Sequence, residues 1–109
     1  MRVLAVTAIL VVPPQARAGA TLLGACSQPC SAWTKRTKST VVKGAFESWV
    51  VGFISALNIS GDRELVGGGD FTSIVAWMDR RCKSTPSAQI GVATLDLAVE
   101  LAGSAAKRP

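Results

Sequence analysis

Few residues in this chain could do covalent or acid–base chemistry, and the types that are missing narrow the choice. It has no histidine and no tyrosine. That removes Ser-His-Asp and Cys-His nucleophilic sets and any histidine-ligated metal. What remains is three cysteines, Cys26, Cys30 and Cys82, and seven carboxylates, Glu47, Asp62, Glu64, Asp70, Asp79, Asp96 and Glu100. Among the carboxylates only Asp96 and Glu100 stand at i, i+4. That spacing reads as one solvated helix face, not as a general acid and base. Three thiols are a poor metal set and, in an exported chain, a good source of one disulfide. The chemistry expected is a bridge, with no catalytic residue, no cofactor and no metal.

Export is expected from the first residues. Arg2 is a short positive start, residues 3–12 (VLAVTAILVV) are an apolar run, and Pro13 and Pro14 break it. Ala16-Arg17-Ala18 then offers an A-x-A cleavage site, with Ala18-Gly19-Ala20 as a second. The run is about half the roughly 20 residues a membrane span requires. We therefore read 1–18 as a signal peptide, with cleavage after residue 20 as the variant, and 19–109 as a single helical domain. The expected location is the periplasm. Removing the signal takes Arg2 and Arg17 with it, so the working protein is less basic than the formal net charge of +5. Leu23-Gly24-Ala25-Cys26 also resembles a lipobox, which would make Cys26 a lipid anchor in the envelope. Lipoprotein signals stay apolar up to the cysteine, and Pro13, Pro14, Gln15 and Arg17 interrupt this one. Ordinary cleavage is the preferred reading, and Cys26 is then a free thiol.

The preferred bridge is Cys30 with Cys82, 82 − 30 = 52 positions apart. Closing a loop of that size stabilises by about 4 kcal/mol in the chain-entropy model. Pairing of Cys26 with Cys82 stays open, and so does Cys26 with Cys30, although i, i+4 on a helix lies near the edge of disulfide reach. Cys82 is delivered by the stretch 70–86, DFTSIVAWMDRRCKSTP. Phe71, Ile74, Val75, Met78 and Cys82 form one stripe of a helical period, so the thiol faces inward. Asp70 is placed as N-cap, and Arg80, Arg81 and Lys83 suit the last turn.

A second helix is expected over 44–58. Phe46, Trp49, Val50, Phe53 and Leu57 share a stripe that Val51 and Ile54 widen, so the helix packs on more than one side. A third is expected over 86–102, opened by Thr85 as cap and Pro86 at the first position, with Ile90, Ala93, Leu97 and Leu101 inward. Gly103 is read as its end and 105–109 as a frayed tail. Residues 21–29 read as an extended lead-in, and 59–69, with Gly67-Gly68-Gly69, as a linker. The expected fold is all-α: a small bundle of three main helices plus a short N-terminal arm around Cys30 and Trp33, stapled by one disulfide. Trp33, Trp49, Phe53, Phe71, Ile74, Trp77 and Met78 are expected in the core or at an interface. The basic run Lys35, Arg36, Lys38 and Lys43 reads as a solvated turn. An exported protein rarely meets nucleic acid, and no aromatics are interleaved to stack on bases. The sequon Asn58-Ile59-Ser60 reads as a chance match.

Three of these stretches carry a resemblance. Cys30-x-x-Trp33, then Trp49-Val50-Val51-Gly52-Phe53-Ile54-Ser55-Ala56-Leu57-Asn58, then Ala76-Trp77-Met78-Asp79-Arg80-Arg81-Cys82, resemble small exported proteobacterial proteins. They are similar to the HdeA/HdeB periplasmic acid-stress chaperones, small all-α proteins with one disulfide across this interval. They also resemble Tai-type immunity proteins, which block type VI secreted peptidoglycan amidases; Val51 stands where those often carry a cysteine. The first resemblance implies a protein that is a folded homodimer near neutrality and loosens in acid to bind unfolded clients. Its trigger would be carboxylate protonation, near pH 4 for model groups. The second implies one specific enzyme as partner. Both imply a non-enzymatic protein that binds other proteins, with no nucleic acid, and no membrane unless Cys26 is acylated.

Overall fold

The computed structural model describes residues 21–61, 64 and 70–107. The expected signal peptide and its cleavage sites lie outside the described residues, as does most of the glycine linker.

Four helices follow one another: α1 (Cys30–Thr34), α2 (Thr40–Ser60), α3 (Phe71–Ser84) and α4 (Ile90–Lys107). Two 3-10 turns, η1 (Gly24–Ser27) and η2 (Arg36–Lys38), flank α1. The described residues contain no β-strand, only an isolated bridge between Pro29 and Gln89. The fold is the expected all-α one, three main helices with a short helical arm, and Cys30 is bonded to Cys82.

The local chemistry explains most of the boundaries. Ser39 caps α2 by accepting from the Val42 N–H at 3.2 Å, so this helix starts a turn earlier than its apolar stripe suggests. Asp70 caps α3, accepting from the Ser73 N–H at 2.9 Å and from its hydroxyl at 3.0 Å. These two bonds, the backbone one first, hold the Asp70 carboxyl below its ordinary value. The cap therefore contributes fully above the ordinary carboxylate range and loses that contribution as pH falls through the depressed value.

The last helix departs from expectation at both ends. Thr85 does not open it. Its N–H and hydroxyl both go to the Arg81 carbonyl, at 3.0 and 2.8 Å, which closes α3. Pro86 lies in the turn that follows, and α4 begins at Ile90, whose N–H donates to the Gln28 carbonyl at 2.8 Å. Gly103 does not end α4; the helix continues to Lys107, and Ala105 on its final turn is buried.

The lead-in is also more ordered than its composition suggests. Gly24 takes a φ of 72°, a left-handed geometry that glycine adopts without strain, and starts η1. The chain then pairs with the α3–α4 turn, Cys30 N–H to Ala88 carbonyl at 2.7 Å and Ser31 N–H to Pro86 carbonyl at 2.9 Å. η1 lies tightly on α4. A Cβ placed on Gly91 would meet Cys26 Cβ and Leu22 Cδ1 at 3.1 Å.

The core is shared by all four helices. Cys30 and Trp33 of α1, Val50 and Ile54 of α2, Ile74, Met78 and Cys82 of α3, and Ile90, Ala93 and Leu97 of α4 form one buried cluster. By length and composition α2 is the described helix that could cross a membrane. Its inner stripe packs on the cluster, and it carries the buried Glu47.

Candidate functional site

The disulfide and the tryptophan one turn after it set the geometry of one end of the molecule. Cys30 and Cys82 have their Cα atoms 4.7 Å apart. Trp33 is fully buried, and its indole N–H donates to Asp79 Oδ1 at 2.9 Å. Cys30 meets Cys82 while Trp33 meets Asp79, so α1 runs antiparallel to the second half of α3.

Arg36 completes this end. It is 6% exposed, buried where the basic run around it was expected to be solvated. Its guanidinium lies 4.2 Å from the Trp33 ring centre, and its Nη1 donates to the Trp33 carbonyl at 3.1 Å. Nε pairs with Glu47 Oε2 at 2.7 Å, and Nη1 with Asp79 Oδ1 at 2.9 Å. Glu47 is 4% exposed, and its second oxygen takes the Lys43 ammonium at 3.1 Å. Taking an arginine and a glutamate out of water is costly, and this arrangement offsets the cost by matching their charges and filling most donor sites. The cluster ties η2 to α2 and α3 within the loop that the disulfide closes. Lys35 and Lys38, by contrast, are exposed as expected.

The remaining site expectations fall out as follows. Ile74 and Met78 are buried; Trp49, Phe53 and Trp77 are half-buried against the core, with the Trp49 and Phe53 rings stacked 5.5 Å apart. Phe71 does not reach the core. It is 49% exposed, because it is the first residue of α3 and lies beyond the partners that cover the rest of the stripe. Cys26 is a free thiol of η1, buried where that turn packs on α4, with Sγ donating to the Leu23 carbonyl at 2.8 Å.

Asp96 and Glu100 stay largely solvated, as expected, and each also takes a partner on α3. Asp96 pairs with Arg81 at 2.5 Å, and Glu100 accepts from the Trp77 indole N–H at 2.9 Å, so both join α4 to α3. Sequence reasoning missed these pairs and Arg36–Glu47 alike. The partners lie on different elements, and no periodic spacing signals such a contact.

Among the described residues no three cysteines or carboxylates converge as metal ligands. The outer face of α4 carries an exposed apolar row, Val92, Leu95 and Val99. The site material among the described residues is a buried ionic cluster beside a disulfide and an exposed apolar row. No protein-family model matches this chain, and no curated protein and no solved structure matches it either.

Proposed function

We propose that this chain is a non-enzymatic periplasmic protein-binding protein of the HdeA/HdeB type, a holdase that opens in acid and takes up unfolded clients. The observation that supports this reading most is the buried Arg36–Glu47 pair. Removing the Glu47 charge, as Glu47→Gln does, would leave the Arg36 guanidinium buried against one partly exposed carboxylate, Asp79, and would release Lys43 as well. Breaking one side of a buried pair is strongly destabilising. The helix that would come loose, α2, is long and apolar enough to cross a membrane by length and composition, and its inner stripe is what a client would meet. The disulfide would keep the loosened chain tethered and able to close again.

The test is aggregation of a model client at acid and neutral pH. The wild-type protein should suppress it in acid only, and Glu47→Gln should suppress it already nearer neutrality. Lack of suppression by either protein at any pH would sink the holdase reading.

A Tai-like immunity function is the second reading, and the Val92, Leu95 and Val99 row favours it, since an inhibitor needs a preformed face. It calls for a tight complex at neutral pH with an amidase encoded beside this gene. Val99→Glu should abolish that complex while leaving the fold intact.

A further inference from the structure

We propose that the elbow between η2 and α2 is a docking tip for an anionic lipid surface. Val41 is 80% exposed and Val42 36% exposed, on the first turn of α2. Lys35, Lys38 and Lys43 surround them in the chain, and all three are exposed. Lys35 and Lys38 make no ion pair among the described residues. No acidic residue precedes Glu47 in the sequence, and Glu47 is turned inward to Arg36. Asp79, an exposed acid that reaches Arg36 of the elbow, has its Oδ1 already serving Trp33 and Arg36. Exposed Arg80 and Lys83 on α3, which packs on α1, add to the positive field.

Charge complementarity therefore selects an anionic partner, and the valines select among anionic partners. On a nucleic-acid backbone two branched apolar side chains contribute nothing, and Trp33, on the helix before the elbow, is buried with no face left to stack on a base. At a bilayer the two kinds of residue act together. Ammonium groups stay at the headgroups while the valines enter the acyl boundary. The tip is pre-organised, because Ser39 holds the Val42 N–H and Arg36 anchors η2 to Glu47. This departs from the expectation that only an acylated Cys26 would bring the chain to a membrane, and it does not depend on the holdase reading.

The test is co-sedimentation of the full chain with vesicles of phosphatidylglycerol and phosphatidylcholine in equal parts, against phosphatidylcholine alone. All proteins compared share the same N-terminus, so residues 1–20 contribute equally. Each lysine near an anionic surface is worth about 5-fold in partitioning. Lys35→Glu with Lys38→Glu should therefore lower binding to the anionic vesicles at least about 25-fold. Val41→Asp should lower it several-fold, and Lys107→Glu, at the far end of α4, should change it little. On phosphatidylcholine alone the variants should not differ. Equal binding by the double variant and the wild type overturns the proposal, as does an equal loss in Lys107→Glu. Circular dichroism of each variant separates loss of binding from loss of fold.

Discussion

Two regions hold this small domain together with the same kinds of side chain used differently. At the disulfide end, Trp33, Arg36, Glu47 and Asp79 make a cluster whose central ion pair is 6% and 5% exposed. Along the α3–α4 seam, Trp77 bonds Glu100 and Arg81 pairs with Asp96, and the latter two are 41% and 42% exposed. Each region has a tryptophan on a carboxylate and an arginine on a carboxylate. The difference is water. In the first, losing a partner strands a charge with no solvent to replace it. In the second, water takes the vacated place. Stability should therefore be concentrated at the disulfide end, and pairs of similar length should differ several-fold in what their loss costs.

The largest effect expected is loss of the bridge itself. Cys82→Ser or Cys30→Ser should destabilise by about 4 kcal/mol, comparable to the whole stability of a domain this small. Denaturant melts of the oxidised wild type and either variant measure it. Cys26→Ser should leave the midpoint nearly unchanged.

Next comes the buried pair. Glu47→Gln should cost about 3 kcal/mol, the low end for a broken buried pair, because Asp79 still faces Arg36. The double replacement Arg36→Met with Glu47→Leu should recover most of that loss. If the single and double variants melt alike, the cluster is not what distinguishes this end.

Two glycines make a test of opposite sign. Gly91→Ala must displace η1, since its methyl would meet Cys26 Cβ at 3.1 Å and the Cys26 carbonyl at 3.3 Å. We expect a loss of about 1–2 kcal/mol. Gly52→Ala faces open space within α2 and should stabilise by up to about 1 kcal/mol. Thermal melts of the pair read the contrast directly.

The smallest effect belongs to the seam. Asp96→Asn should cost under about 1 kcal/mol, and less in high salt. A loss as large as that of Glu47→Gln would erase the distinction between the two regions.

What the chain disclosed before folding follows the range of the interaction. The α3 helix was legible almost whole, because its cap, its stripe and its cysteine are all local: Asp70 reaches only to Ser73, and Cys82 takes its direction from the helical period. That direction marked Cys82 as one end of the bridge; Cys30 was only the preferred partner over Cys26, and the structure makes the choice. The start of α4 was misread because Thr85 and Pro86 suit a helix opening as well as a helix end. The choice is made by the Cys30, Ser31 and Ile90 backbone bonds between the lead-in and the turn, which no local rule contains. Arg36 was hidden for a related reason. Its neighbours Lys35 and Lys38 are solvated, and only the partner on α2, 11 positions on, marks it as different. The stop at Gly103 failed because glycine only permits a helix to end, and Ala105 finds cover beyond it.

The placement of the bridge also decides how the molecule would carry a load. Tension applied to the two ends of the chain enters at Cys30 and leaves at Cys82 through the sulfur–sulfur bond. The 52-position interval between them, which contains η2, all of α2 and most of α3, bears none of it. Pulled apart, the oxidised protein would give up α4 and η1 first and then stop short, with about 180 Å of contour still locked in the loop. Reduction would release that length in a single step, while α2, the helix carrying the buried glutamate, would feel force only after the bridge is gone.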